Sequence, residues 1–341
     1  MILNSYIIIY LICSVMSLYI GLVALFNGIY ILMRWDRHND TEAQYHLEKR
    51  VYLIITVLFI GFSLRIFMFP LWFFTLNSMI ISISGAMCLV GVHNVNPPVA
   101  YTSSALKLIL PSLYLYWLVL NFLDRKVETQ PFIKKKLWLL TPLGVLILAE
   151  TVLDISFFFS VAPRQVSCCT SLFDVPRDDL LQIAVESTWR WVVIFYIMAA
   201  FLFSESVYFL TAQKKGLISG KNWWGAKKWV LFLQTILILS TMVVFILALQ
   251  TKIAPLFLKL PFHQCIFCLC QEVWDALLSF FMIFSGLLFL LIYFWIAADT
   301  DYGTANQKFH KPMVNILTWS TCLFAGGTII LSIHLIYILL N

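Results

Sequence analysis

Eight stretches of this chain are each long and apolar enough to cross a bilayer, and that constrains its fold more than any other feature. They lie near 5–33, 51–76, 101–123, 137–160, 181–210, 229–250, 273–298 and 313–340. A hydrocarbon core about 30 Å thick is spanned by about 20 helical residues rising 1.5 Å each. The sequence therefore predicts an all-α, polytopic transmembrane bundle. Nothing between the stretches is long enough for a separate soluble domain, so residues 1–341 read as a single integral membrane domain. Composition agrees: 61% of residues are hydrophobic and only 12% charged, against about 25% charged in soluble domains. The lipid bilayer is thus the first expected partner.

Orientation follows from Lys and Arg in alternate loops. Four fall in loop 34–50, five in 124–136, five in 211–228 and two in 299–312, whereas the opposite loops hold only Arg164, Arg177, Lys252 and Lys259. Cationic loops stay on the cytoplasmic side, so both termini are expected outside. Residues 1–33 contain no Lys or Arg, and the first positive charge, Arg34, follows the apolar run. The basic n-region of a cleavable signal is missing, and an uncleaved first span is expected. The net charge of +6 is explained by insertion topology. No basic stripe interleaved with aromatics forms a groove, so nucleic acid is not an expected partner.

Six of the eight cysteines fall in the three outer loops or at their junctions with the spans. The first loop reads Ser84-Gly85-Ala86-Met87-Cys88, then His93 and the turn-forming Asn96-Pro97-Pro98. The second carries the vicinal pair Cys168-Cys169, and the third reads His263-Gln264-Cys265-Ile266-Phe267-Cys268-Leu269-Cys270. Cys13 and Cys322 lie inside the first and last spans, where a thiol is ordinarily a small buried hydrophobe.

Three readings of the outer cysteines compete. Structural disulfides are one, since the outer face is oxidising and six thiols pair completely. Adjacent Cys168 and Cys169 join each other only under strain, so each would reach another loop. Thiol–disulfide redox is the second. Cys265, Cys268 and Cys270 would be the exchanging group, with Cys168, Cys169 and Cys88 as relay or resolving thiols. A membrane quinone would be the electron acceptor and a periplasmic thiol protein the partner. A soft-metal site is the third, with copper or zinc held by Cys265, Cys268, Cys270, His263 and His93. A scaffold subunit of a larger membrane complex, its loops stapled by disulfides, is the non-enzymatic alternative.

Ionisable residues within spans are costly and mark a functional cavity or an internal pair. Arg65, Glu150 and Asp154 lie deep in their spans, and the i, i+4 spacing of the two carboxylates puts them on one helix face. Arg65 is expected either as their buried counter-ion or, with them, as a manager of protons and charge beneath the cysteines. Glu186 and Arg190 form an i, i+4 pair, while Lys107, Glu272 and Asp275 sit near the outer ends of their spans. Glu205 lies near a cytoplasmic end, where it can snorkel, and His334 reads as a hydrogen-bonded helix contact. The inner half carries almost no charge, which suits an outward-facing vestibule better than a transmembrane path.

The segments Gly85-Ala86-Met87-Cys88, Cys168-Cys169 with Phe173-Asp174, and His263-x-Cys265-x-x-Cys268 resemble a family of uncharacterised bacterial polytopic membrane proteins. Leu47-Glu48-Lys49-Arg50 and Gln130-Pro131-Phe132 share in the resemblance, which covers nearly the whole chain. It implies a bacterial inner-membrane location and supplies no activity. The sequence has no nucleotide-binding loop, no haem-attachment Cys-x-x-Cys-His and no His-Glu-x-x-His, which disfavours an ATPase, a c-type cytochrome or a zinc protease.

Overall fold

The computed structural model describes residues 4–34, 41–86, 88–126, 132–160, 166, 189–214, 227–260, 263–299 and 306–340. Among them are eight helices long and apolar enough to cross a membrane, and no strand. The chain is an all-α multi-pass membrane protein, as its apolar stretches predict. It divides into two compact units, residues 1–168 and 169–341.

The first unit contains α1 (Ser5–Arg34), α2 (Glu42–Met79), the short α3 (Leu89–His93), α4 (Pro97–Asp124) and α5 (Ile133–Ser160). Each long helix buries one stripe at three- and four-residue steps, the period that keeps side chains on one face. On α4 that stripe runs Ala100, Ser103, Lys107, Leu110, Tyr114, Trp117 and Asn121. On α5 it includes Leu140, Leu143, Ile147, Glu150 and Asp154. The polar members fall on the same stripe as the core leucines, so they point inward with them. The opposite face of α1 is also apolar, with Ile8, Ile12, Val15, Tyr19 and Phe26 exposed. A helix hydrophobic on both faces requires lipid on the outer one.

α1 and α5 approach most closely through small residues, the usual means of packing helices where lipid competes equally for apolar contact. A side chain at Gly144 would place its Cβ 2.8 Å from the backbone nitrogen of Leu25 and 2.9 Å from the carbonyl oxygen of Gly21. Backbone cannot yield there. In the loop before α3, Gly85 adopts φ +87°, and a Cβ on it would meet the Val166 carbonyl oxygen at 2.3 Å. The Val166 N–H donates to the Ser84 carbonyl at 3.0 Å, so this loop is held to the end of the unit.

The second unit contains α6 (Arg190–Lys214) and α7 (Lys227–Ala248), which continues through a π-helical turn, Leu249–Ile253, into α8 (Ala254–Phe257). The short α9 (Ile266–Glu272), α10 (Trp274–Asp299) and α11 (Asn306–Leu340) follow. The Ser320 hydroxyl donates to the Gly286 carbonyl at 2.8 Å, tying α10 to α11. Gln234 on α7 donates to both carboxylate oxygens of Glu205 on α6 at 2.9 Å. Glu205 is thus hydrogen-bonded by a neighbouring helix while half-exposed. His334 contacts Asp275 at 3.0 Å and stacks on Phe257 with ring centroids 4.3 Å apart. It is a helix contact, as its position in the last span predicts.

Because the α1–α5 contact is backbone against backbone, Gly144→Leu should destabilise the first unit by at least about 1–3 kcal/mol, the ordinary cost of overpacking. Unfolding of the purified protein in mixed micelles tests this. A variant as stable as the parent would show that the close approach is dispensable.

Candidate functional site

Four helices of the first unit meet at a buried cluster of two cations and two carboxylates. Arg65 comes from α2, Lys107 from α4, and Glu150 and Asp154 from α5, all nearly excluded from solvent. The Arg65 guanidinium pairs through Nη2 with Glu150 Oε2, and its Nε–H donates to the Tyr114 hydroxyl at 2.8 Å. Lys107 Nζ donates to Glu150 Oε1 at 2.8 Å and contacts both Asp154 oxygens, at 2.7 and 2.6 Å. The Tyr10 hydroxyl of α1 donates to Asp154 Oδ2 at 2.6 Å. Ser103 donates to Asp154 Oδ1 and accepts from Lys107 at 3.3 Å. Lys107 Nζ also lies 4.2 Å from the centroid of the Trp72 ring, a cation–π contact strengthened by exclusion of water.

The formal charges cancel. That matters because an isolated ion in apolar surroundings costs several kcal/mol, which only close, well-bonded counter-charges offset. The sequence expectation that Arg65 is a buried counter-ion is therefore met, with Glu150 as the partner. Lys107, expected near the outer end of a span, is buried on the core-facing stripe of α4. It lies 10 residues into α4, or about 15 Å along the axis, and forms the centre of the cluster. Its position between Ser103 and Leu110 on the buried stripe was the available signal, since a cation on a core-facing stripe must be paired.

A second ion pair closes the other end of the α4–α5 hairpin. Lys136 Nζ contacts Asp124 Oδ2 at 2.6 Å and Asn121 Oδ1 at 3.2 Å. Asp124 Oδ1 also accepts the Phe132 backbone N–H at 3.0 Å. Lys136, counted in sequence among loop cations, is buried, so part of that basic run is structural.

Arg65 is incompletely satisfied: its Nη1 is buried and has no hydrogen-bond partner among the described residues. Arg65 lines a narrow cleft together with Tyr10, Met68, Phe69, Lys107, Pro111 and Tyr114.

The cysteines are placed unit by unit. Cys88 precedes α3 in the first unit and is fully buried. The nearby His93 is also buried, and both ring nitrogens are engaged at 2.7 Å, Nδ1 with the Leu89 carbonyl and Nε2 with Ser104 Oγ. A carbonyl only accepts, so Nδ1 carries the proton and neutral Nε2 accepts from Ser104. Burial lowers the pKa of His93 below its ordinary value, favouring that neutral ring. Metal ligation by His93 would displace one of these bonds.

In the second unit, Cys265, Cys268 and Cys270 sit at the start of or within α9, with Cys265 as its N-terminal flanking residue. The Sγ atoms of Cys265 and Cys268 lie within 4.8 Å of each other. Cys265 is buried and Cys268 half-buried. Burial, with a contribution from Cys265, pushes the Cys270 thiol up to about 12, which makes it a poor nucleophile. His263, just before this segment, is buried as well. Cys168, Cys169 and Glu186 lie outside the described residues. Among the described residues no disulfide is formed.

No family model matches the chain, and neither a curated protein nor a solved structure shows significant similarity to it. Fold and geometry define it as a polytopic α-helical membrane protein with a charge-balanced polar cluster inside the first of its two units.

Removing one member of that cluster strands the opposite charge, whereas removing a matched pair does not. Lys107→Met should cost about 3–5 kcal/mol, and Lys107→Met combined with Asp154→Asn should recover most of it. Unfolding of both variants in mixed micelles checks this. A double variant no more stable than the single one would contradict the charge-balance account.

Proposed function

We propose that this protein performs thiol–disulfide exchange at its extracytoplasmic face, with Cys265 and Cys268 as the exchanging pair. The observation that carries this reading is their placement one helical turn apart, with sulfurs within 4.8 Å. Two thiols so close interconvert with a disulfide by side-chain rotation and little backbone movement. Cys270, with its thiol pushed up to about 12, is reassigned from the exchanging group to a packing role. Cys88, Cys168 and Cys169 remain as relay or resolving thiols.

The chemistry balances as follows. A reduced partner protein attacks the oxidised pair at Cys268, the more exposed sulfur, and Cys265 leaves as the thiolate. The partner's second thiol resolves the mixed disulfide, so the partner gains a disulfide and Cys265 and Cys268 become thiols. A membrane quinone then accepts two electrons and two protons, re-forming the Cys265–Cys268 bond and becoming the hydroquinone. The bacterial inner membrane, where such quinones dissolve, is the location this reading requires.

A soft-metal site is the second reading, favoured by the same proximity. Two thiolates at about 2.3 Å from one tetrahedral zinc need only a small closure of the observed pair. Elemental analysis of anaerobically purified protein separates the two, since stoichiometric copper or zinc would favour the metal.

The difference in burial gives an asymmetric test of exchange. With glutathione disulfide, Cys265→Ser should accumulate a glutathione adduct on Cys268, whereas Cys268→Ser should form little adduct on Cys265. The parent should pass to the internal disulfide. Cys270 should resist alkylation at pH 8, and its rate should rise only as pH approaches 12, because a raised pKa leaves about a thousandfold less thiolate than the ordinary value near 9 does. Peptide mass spectrometry reads all of these. Equal inertness of Cys265 and Cys268 in reduced protein would sink the reading.

A further inference from the structure

We infer that the cleft beside Arg65 is a binding site for a neutral, membrane-dissolved molecule that presents a carbonyl oxygen, the chemistry of a quinone ring. The first observation is the unused donor. Every N–H of Lys107 has an acceptor within the cluster, but Arg65 Nη1 has none among the described residues, although its side chain is only 4% exposed. A buried guanidinium nitrogen without an acceptor costs about as much as a lost charged hydrogen bond, so a ligand acceptor there gains what the fold forgoes. The Tyr114 hydroxyl accepts from Arg65 Nε and lines the same cleft, and its proton is a second donor available to a ligand.

Charge selects the ligand class. Arg65 and Lys107 are already matched by Glu150 and Asp154, so an anion would leave the cluster one charge negative in an apolar medium. A neutral acceptor satisfies Arg65 Nη1 without disturbing that balance. Depth selects its solubility. Arg65 lies 14 residues from the end of α2, about 21 Å along the axis, within the span, where a polar metabolite does not dissolve. Size fixes the pose. The cleft has room for about one water-sized group. A carbonyl tip enters toward Arg65 while its ring rests at the mouth against Phe69 and Pro111, the half-buried members of the lining. Ester carbonyls of glycerolipids share this acceptor chemistry, and the experiment separates the two sources. The proposal rests on the thiol–disulfide reading for the quinone's role as acceptor but not for binding.

The test is photolabelling of the full chain with an azidobenzoquinone, followed by peptide mapping. Label is expected on residues 65–69 and 107–114, displaced by decylubiquinone and not by decylbenzene, which lacks the carbonyls. Displacement by dioctanoylglycerol as well would assign the site to carbonyls generally, and its failure to displace would assign it to quinones. Arg65→Lys removes the unused donor and should weaken decylubiquinone competition about tenfold, the value of one charge-assisted hydrogen bond. Met68→Phe narrows the cleft without touching a charge and should suppress labelling even if the Arg65 variant fails to fold. Labelling that persists in Met68→Phe, falls elsewhere, or is displaced equally by decylbenzene overturns the proposal. A chain lacking Cys265 and Cys268 should still be labelled, so loss of thiol exchange with labelling intact would overturn only the redox reading.

Discussion

Two cations and two carboxylates inside the span set the terms for the first unit. In a medium that barely screens charge, each is tolerable only because the others lie within hydrogen-bond distance. Lys107 contacts both carboxylates, and Arg65 pairs with Glu150, so α2, α4 and α5 cannot slide or rotate independently without separating charges. Tyr10 brings α1 into the same network through Asp154. Apolar contact alone would not fix helix register here, because lipid offers a leucine the same surroundings as a neighbouring helix does. The ions, with the α1–α5 backbone approach, supply the specificity that hydrophobicity lacks in a membrane.

Much of this was legible in the sequence. Apolar length gave the number of spans, and boundaries such as those of α1 and α5 fall within a few residues of the expected ones. The i, i+4 spacing of Glu150 and Asp154 placed both on one face, and Arg65 was a candidate counter-ion for them. The distance of Lys107 from a span's end does not say which face it occupies. Its register with Ala100, Ser103 and Leu110 carries that information. Asp124 and Lys136 were hidden for a different reason. They sit at a hairpin turn, where position along the chain does not say whether a charge faces water or folds back onto the helix. The unused Nη1 of Arg65 was beyond the sequence altogether, because it depends on which of five donors find acceptors.

The cysteine segments divide in a similar way. The span count and the basic residues lead one to expect them in loops of one membrane side. The roles within α9 follow from burial, which sequence does not give. Cys268 is the accessible sulfur, Cys265 the buried neighbour and Cys270 a thiol held protonated by its apolar surroundings. Three cysteines that look equivalent in His-x-Cys-x-x-Cys-x-Cys are therefore chemically distinct. On that distinction rests the proposal that Cys268 is the entry sulfur and Cys265 its leaving partner.

The most direct test is a redox titration of the full-length protein in thiol buffers of known potential, with maleimide trapping and quantification of the Cys265–Cys268 peptide. The account predicts a reversible dithiol–disulfide transition with a midpoint between about −120 and −270 mV, the range of proteins that exchange disulfides. A midpoint below about −300 mV would mark a structural bond. That outcome, or a pair that forms no disulfide at any potential, would contradict the account.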